Sequence, residues 1–240
     1  TDLLTFLADS FSTQYHVLTA TNGREALQIV REKTVELIIS DVMMPEMDGN
    51  ELCRHVKENM ETSHIPVILL TAKSESQDMV SGLKSGADVY VTKPFDPNYL
   101  QLQVKNILQL IKTRQTEIVQ SNSEDIDDMP ISPLDKKFIT KMNELVDANI
   151  VNSDFSISDI TRELGVSRTL LHTKMRSLFG MSMGDYIRKK RLDKACRLLR
   201  EGRNVSETAY ATGFSDPNWF SKTFKKHIGI SPSEYMKNLK

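Results

Sequence analysis

The chain has 240 residues, 39% of them hydrophobic, and its 31 Lys+Arg against 32 Asp+Glu leave a net charge of −1. That length fits one large or two smaller globular domains with a proper core. Only Cys53 and Cys196 are cysteines, which excludes a disulfide scaffold and a Cys-based zinc cluster and fits a reducing compartment. No apolar run approaches the roughly 20 residues of a membrane span, and no signal peptide is evident. A cytoplasmic chain without direct membrane contact is expected. It opens on Thr1 inside an amphipathic pattern, as a fragment would.

The near-zero charge averages two opposites. Residues 1–118 carry 11 bases against 16 acids, residues 119–133 add four acids and no base, and residues 134–240 carry 20 bases against 12 acids. Nucleic-acid contact is therefore expected of the second half only.

In chain order, Leu3, Leu4, Phe6, Leu7 and Phe11 mark a first helix with no strand before it. Short β-rich runs follow at Tyr15–Leu18, Leu37–Ser40, Val67–Leu70 and Val89–Val91. All but the first are too continuous for a sheet with one wet face and predict strands buried on both sides. Helical patterns lie between them, with Asn22/Glu25 and Ser74/Gln77 as capping boxes. This alternation predicts an α/β domain built on a doubly wound parallel sheet.

Asp41 ends the second of these strands, Thr71 the third and Lys93 the fourth, so all three reach the carboxyl edge of the sheet, where open α/β folds hold ligands. Phosphoryl transfer needs such a trio. A carboxylate takes the phosphoryl group, an ammonium pairs with its charge, and a hydroxyl donates to one of its oxygens. Singly, an Asp at a strand end is a cap or turn residue and a Lys a solvated charge; the spacing of the three together carries the reading.

The DxMMPxMDG loop from Asp41, the LLTAK strand end and the GADVYVTKPF segment resemble the receiver domain of two-component response regulators, over essentially all of the first half. The resemblance implies a flavodoxin-like fold, Asp41 as phosphoacceptor, Thr71 as switch hydroxyl and Lys93 as its lysine, followed by a cis Pro94. It also implies Tyr90 as the aromatic that moves with Thr71, and Asp41 and the Met43 carbonyl as Mg²⁺ ligands. The family's first strand, which ends in a metal-holding acidic pair, is absent from this chain. Mg²⁺ is therefore expected only where that strand is present.

Residues 119–133 are polar, acidic and Pro-rich at their end, and read as a linker. From residue 134 the pattern becomes all-helical. Ser158–Leu164, the Gly165-Val166 turn and a Ser167-capped helix over Arg168–Phe179 form one helix-turn-helix. Val205–Ala211, the Gly213-Phe214 turn and a second helix, opened by Asp216 and Pro217, form another. A basic helix over Asp185–Arg200 joins them.

The Gly213-Phe214-x-x-Pro217-x-x-Phe220-x-x-x-Phe224-Lys225-Lys226 run and Gly229-x-Ser231-Pro232-x-x-Tyr235 resemble the AraC/XylS-type DNA-binding domain, over residues 134–240. By that resemblance, Arg168, Thr169, His172, Thr173 and Arg176, and then Asn218, Ser221 and Lys222, would face bases, with Pro217 near the groove. Arg188, Lys189, Lys225 and Lys226 would meet phosphates. Trp219, Phe220 and Phe224 read mainly as core aromatics, with Trp219 partly exposed.

Together these imply a non-enzymatic transcriptional regulator controlled by a histidine kinase, on a separate or the same polypeptide. It would bind double-stranded DNA as a homodimer on activation. The order of the domains also fits the C-terminal end of a hybrid sensor. The alternative is a phosphorylation-independent dimerisation module on a DNA-binding protein. A metabolic phosphotransferase is disfavoured, because no Gly-rich phosphate loop occurs.

Overall fold

The computed structural model describes residues 2–72, 86–121 and 123–239. They form two compact units, Thr1–Glu117 with Met129–Lys136, and Ile118–Asp128 with Lys137–Lys240. The Ser74/Gln77 box and its helix lie outside the described residues.

The first unit opens with α1 (Asp2–Ser12) and α2 (Gly23–Glu32), followed by β1 (Ile38–Asp41), α3 (Gly49–Glu58), β2 (Val67–Ala72), β3 (Val89–Lys93) and α4 (Pro97–Gln120). The strands pair in parallel in the order β1-β2-β3. Side chains alternate across β2, so both faces must be covered. Val67 and Leu69 pack with Leu52, Cys53 and Val56 of α3 and with Leu27 and Val30 of α2. Ile68 and Leu70 pack on the other face with Phe11 and Leu7 of α1 and with Leu100, Val104 and Ile107 of α4. Two helices per face make the sheet doubly wound, as expected.

The expected strand at Tyr15–Leu18 does not form. Residues 16–20 have no ladder partner among the described residues, and Tyr15 and Leu18 are 36% and 41% exposed. β propensity alone cannot fix a strand without a neighbour to accept its hydrogen bonds. A cavity of about 470 Å³, lined by Leu7, Leu18, Val30 and Ile39, lies between this segment and β1 and opens at Asp41.

Residues 119–133, expected as a solvated linker, are helical at 119–120, 123–127 and 133. α4 runs to Gln120, α5 covers Ser123–Asp127, and Ile118 and Ile126 are buried. Within the first unit, the buried Ser63 hydroxyl donates to Asp135 Oδ1 at 3.0 Å, and Ser132 Oγ donates to Oδ2 at 2.8 Å. A few apolar side chains at helical spacing suffice to fold an acidic stretch that composition marks as solvated.

The chain continues all-helical through α6 (Pro133–Asn149), whose first residues belong to the first unit, and then α7 (Ile157–Leu164), α8 (Arg168–Phe179), α9 (Met183–Arg200), α10 (Val205–Ala211), α11 (Pro217–Ile228) and α12 (Pro232–Lys237) of the second. The α7–α8 and α10–α11 pairs are the two expected helix-turn-helix units. Gly165 takes the left-handed conformation that closes α7, and Ser167 caps α8. Asp216 caps α11, with Pro217 at its first position.

Leu192, Ala195 and Leu199 of α9 share a core with Ala209, Phe214, Phe220 and Phe224 of the second pair. On the first pair, Phe179 meets Tyr186 of α9 edge-on, ring centroids 4.8 Å apart, and the buried Tyr186 hydroxyl donates to Asn143. Burial pushes the Tyr186 phenol far above its ordinary value.

Arg191, inside the basic helix, is no surface charge. Its guanidinium donates to the carbonyls of Ile150 at 3.1 Å and Asn152 at 2.7 Å. Gly213 fits against this clamp at φ +77°, where a Cβ would stand 2.4 Å from the Ile150 oxygen and 2.9 Å from Arg191 Nε. Gly213→Ala is expected to cost at least about 2 kcal/mol, from left-handed strain plus backbone overlap. Gly202→Ala, at φ +88° with no atom within 4 Å, should cost only about 1 kcal/mol. Denaturant unfolding of the two variants, followed by circular dichroism, checks the difference.

Candidate functional site

The first site stands at the carboxyl edge of the sheet. Asp41 pairs in register with Leu70, Thr71 with Thr92, and Ala72 with Lys93. The side chains of Asp41, Thr71 and Lys93 thus leave three adjacent strands within one residue of the same level. Lys93 Nζ donates to Asp41 Oδ2, and the Met43 amide donates to Oδ1 at 3.2 Å. The two charged side chains are 27% and 29% exposed, so the carboxylate is held yet reachable.

The loop after Asp41 is shaped by its own sequence. Asp48 caps α3 by accepting from the Glu51 amide at 2.8 Å. Gly49 donates its amide to the Val42 carbonyl, and a Cβ there would stand 2.2 Å from the Asp41 oxygen. Only glycine lets the chain turn back so tightly beneath the carboxylate. Asn22 caps α2, but Glu25 reaches past it to the Thr21 amide and hydroxyl, at 2.7 and 2.8 Å. Those bonds, the amide first, hold the Glu25 carboxyl below its ordinary value. The Lys93–Pro94 peptide bond is cis.

Thr71 is buried, its hydroxyl 3.5 Å from the Ala72 carbonyl, and Tyr90 lies half-buried on the middle of β3. Met43 is 71% exposed at the mouth of the site.

The residues present do not make a Mg²⁺ site by themselves. Asp41 and the Met43 carbonyl supply two of the roughly six oxygens such an ion requires. No group of three or more His, Cys, Asp or Glu able to hold a metal occurs among the described residues.

The second site is the outer surface of the paired helix-turn-helix units. On α8, Arg168, Thr169, His172 and Arg176 are exposed and Thr173 is half-buried, while Leu171, Met175 and Leu178 face inward. One face of the helix therefore carries all five residues expected to meet bases. On α11, Asn218, Lys222, Lys225 and Lys226 are exposed over the buried Phe220, Thr223 and Phe224. Ser221 is half-buried, and its hydroxyl is engaged with the Pro217 carbonyl at 2.9 Å.

Arg188 and Lys189 pair with acids of their own helix, Asp185 at 2.6 Å and Asp193 at 3.0 Å. They could turn to phosphate only by exchanging those partners. Phe220 and Phe224 are fully buried, as expected of core aromatics, but Trp219 is 45% exposed.

Sequence reasoning also missed Arg191 and Lys174, both buried. A signal existed: Arg191 falls on the stripe of Ile187, Ala195 and Leu198, and Lys174 on that of Leu171, Met175 and Leu178, both at helical spacing.

A doubly wound sheet with a Lys-bound Asp at its carboxyl edge, joined to paired helix-turn-helix units, defines a signalling receiver coupled to a nucleic-acid-binding module. Residues 2–105 match the response regulator receiver domain family, and residues 160–238 match a helix-turn-helix domain family. The chain is 37% identical to "Histidine kinase P4" of Formosa agariphila over 97% of its own length and 17% of that protein's. It is 32% identical to "Probable transcriptional regulator ycf29" of Pyropia yezoensis, over 68% of its own length and 75% of that protein's.

A receiver domain of a signal transduction histidine kinase from Syntrophus aciditrophicus is 41% identical, with a TM-score of 0.45 over 46% of this chain and 85% of that one. The matched region spans 17% of the Formosa protein's length and 57% of that of "Probable transcriptional regulator ycf27" of Cyanidium caldarium, to which the chain is 39% identical. It belongs to the response-regulator family and carries a receiver domain followed by an AraC-type helix-turn-helix domain.

Three helices of the second unit open on serine–carboxylate caps. The Ser156 hydroxyl holds the Asp159 carboxyl below its ordinary value, the Ser182 hydroxyl that of Asp185, and the Ser231 amide that of Glu234. A carboxyl with a depressed pKa in the folded state binds fewer protons there than in the unfolded chain. The stability it adds is complete above the unfolded value of about 4 and disappears as pH falls through the lower folded value. Thermal unfolding at pH 6 and pH 3 should show a drop at the lower pH, and a smaller drop in a Ser156→Ala/Ser182→Ala/Ser231→Ala variant.

Proposed function

We propose that a histidine kinase controls DNA binding by this regulator through phosphorylation of Asp41. The observation that carries this reading is the contact of Lys93 with a reachable Asp41 carboxylate, at the same sheet edge as Thr71. An Asp41 oxygen attacks the phosphorus of a phosphohistidine. The P–O bond forms as the P–N bond breaks, and the released imidazole takes up a proton from water. Lys93 then balances part of the roughly two negative charges that the phosphoryl group brings.

Thr71 and Tyr90 act as the switch, shifting the population between two receiver states. Mg²⁺ enters this scheme only with a first strand that supplies further carboxylates, and no step depends on it.

The receiver function belongs to residues 1–118 and DNA binding to residues 134–240, with 119–133 joining them. Arg168, Thr169, His172, Thr173, Arg176, Asn218, Ser221 and Lys222 face bases; Arg188, Lys189, Lys225 and Lys226 face phosphates of double-stranded DNA. Activation pairs two copies on adjacent sites, and the chain itself catalyses no metabolic reaction.

Similarity to the Formosa kinase along nearly the whole chain supports a place at the regulator end of a polypeptide that also carries the kinase. No helix among the described residues is long and apolar enough to cross a membrane. That supports action in the cytoplasm, where the DNA is.

The second reading is a phosphorylation-independent dimerisation module, favoured by the incomplete metal donor set. Treatment with acetyl phosphate and Mg²⁺, followed by intact-mass measurement, separates the two. One added phosphoryl group in the wild type, absent from Asp41→Asn, together with tighter DNA binding is the expected result. No mass gain and no change in DNA binding would favour the second reading.

In the DNA assay, log Kd should rise linearly with log salt. Lys225→Ala or Lys226→Ala should lower that slope by about 1 while leaving sequence preference intact. Arg168→Ala should instead cost about 1–3 kcal/mol on the preferred site and relax the choice of base.

A further inference from the structure

Trp219 is the chain's single tryptophan, and its position is unusual for a large aromatic. It lies in the first turn of α11 between Asn218 and the buried Phe220, and it is 45% exposed. Its indole is nevertheless fixed. The ring sits 5.0 Å from Phe214, centroid to centroid. Phe214 is itself 1% exposed and meets Phe220 edge-on at 5.1 Å.

The backbone beneath is fixed as well, since the Asp216 carboxylate accepts from the amides of Asn218 and Trp219 at 2.9 and 3.2 Å. Nearly half of a rigid indole is therefore offered to solvent beside Asn218 and Lys222. Phe214, Phe220 and Phe224 lie in the buried core of the unit, and the exposed apolar area of Trp219 beyond them is open to a partner. A fixed aromatic at the start of a groove-entering helix meets base edges at small entropic cost. The apolar feature of a major groove is the thymine C5-methyl.

We infer that Trp219 is a specificity-determining residue that makes an apolar contact with a thymine methyl in the major groove. The inference rests on the DNA-binding reading of α11, and the experiment keeps the two apart.

The full chain selects its preferred duplex from a random library at about 50 mM salt, where phosphate contacts support measurable affinity. Binding to that duplex is then followed by anisotropy of a labelled strand and, in the same titration, by Trp219 emission and its quenching by acrylamide. Expected are quenched emission, several-fold less acrylamide access at saturation, and about fourfold weaker binding when one particular thymine is replaced by deoxyuridine. That factor corresponds to the loss of one methyl-sized apolar contact. In Trp219→Ala the uracil penalty should vanish. Trp219→Phe, which keeps a ring on Phe214, guards against a folding defect.

Binding by anisotropy with unchanged emission and acrylamide access would overturn the contact and leave the DNA reading intact. Altered emission with no uracil sensitivity at any thymine would overturn the base reading in favour of a sugar contact. A selected duplex without thymine in the footprint would do the same. No binding at all would overturn both readings together.

Discussion

The first unit depends on the burial of its parallel sheet from both sides. β2 is apolar on each face, with Val67 and Leu69 directed one way and Ile68 and Leu70 the other, so a polar side chain within the layers needs a partner, as the buried Ser40 hydroxyl has in the Asp41 carbonyl at 2.9 Å. Charge and hydroxyl are tolerated only where the strands run out. Asp41, Thr71 and Lys93 sit at that boundary because the register makes their strands end within two residues of each other. The turn of Gly49 under the Asp41 carbonyl and the Asp48 cap of α3 then leave the carboxylate facing outward with Lys93 on it. A site chemically suited to phosphoryl transfer follows from where the core stops.

The second unit solves a different packing problem. Two short helix pairs have little core of their own, and α9 supplies a common one, with Phe179 against Tyr186 on one side and Leu192, Ala195 and Leu199 against the second pair on the other. Arg191 ties this arrangement together through two backbone carbonyls and a glycine that leaves room for it. Burial lowers the pKa of its guanidinium, and the two carbonyl acceptors offset the cost of desolvating the charge. With the inner faces of α8 and α11 occupied, their polar and basic faces are left outward.

Much of this was legible in the chain itself. Strand ends, caps and helix-turn-helix punctuation are written in local chemistry: Asp216 and Pro217 start α11, Gly165 and Gly213 close α7 and α10, and Ser167 opens α8. The site trio was legible from spacing, because a period of strand, helix and strand forces the ends to one edge. Exposure was harder. Lys225 and Arg191 are both basic residues on amphipathic helices, yet one is solvated and the other buried, and only the position of the apolar stripe separates them.

Composition also misread part of residues 119–133, where Ile126 is buried and a short helix covers Ser123–Asp127 despite the run of acids. At Tyr15–Leu18, propensity marked a strand that hydrogen bonding does not support. The sequence by itself therefore determined the caps and turns of the helix-turn-helix units and which chemical groups reach the sheet edge, since these follow from short-range sterics and capping. Tertiary structure alone decided that Lys93 rests on Asp41, that the Arg191 guanidinium lies on the Ile150 and Asn152 carbonyls and that residues 15–18 find no strand partner among the described residues. Those outcomes depend on which faces meet, and burial is a property of the packed neighbours, absent from any single stretch of chain.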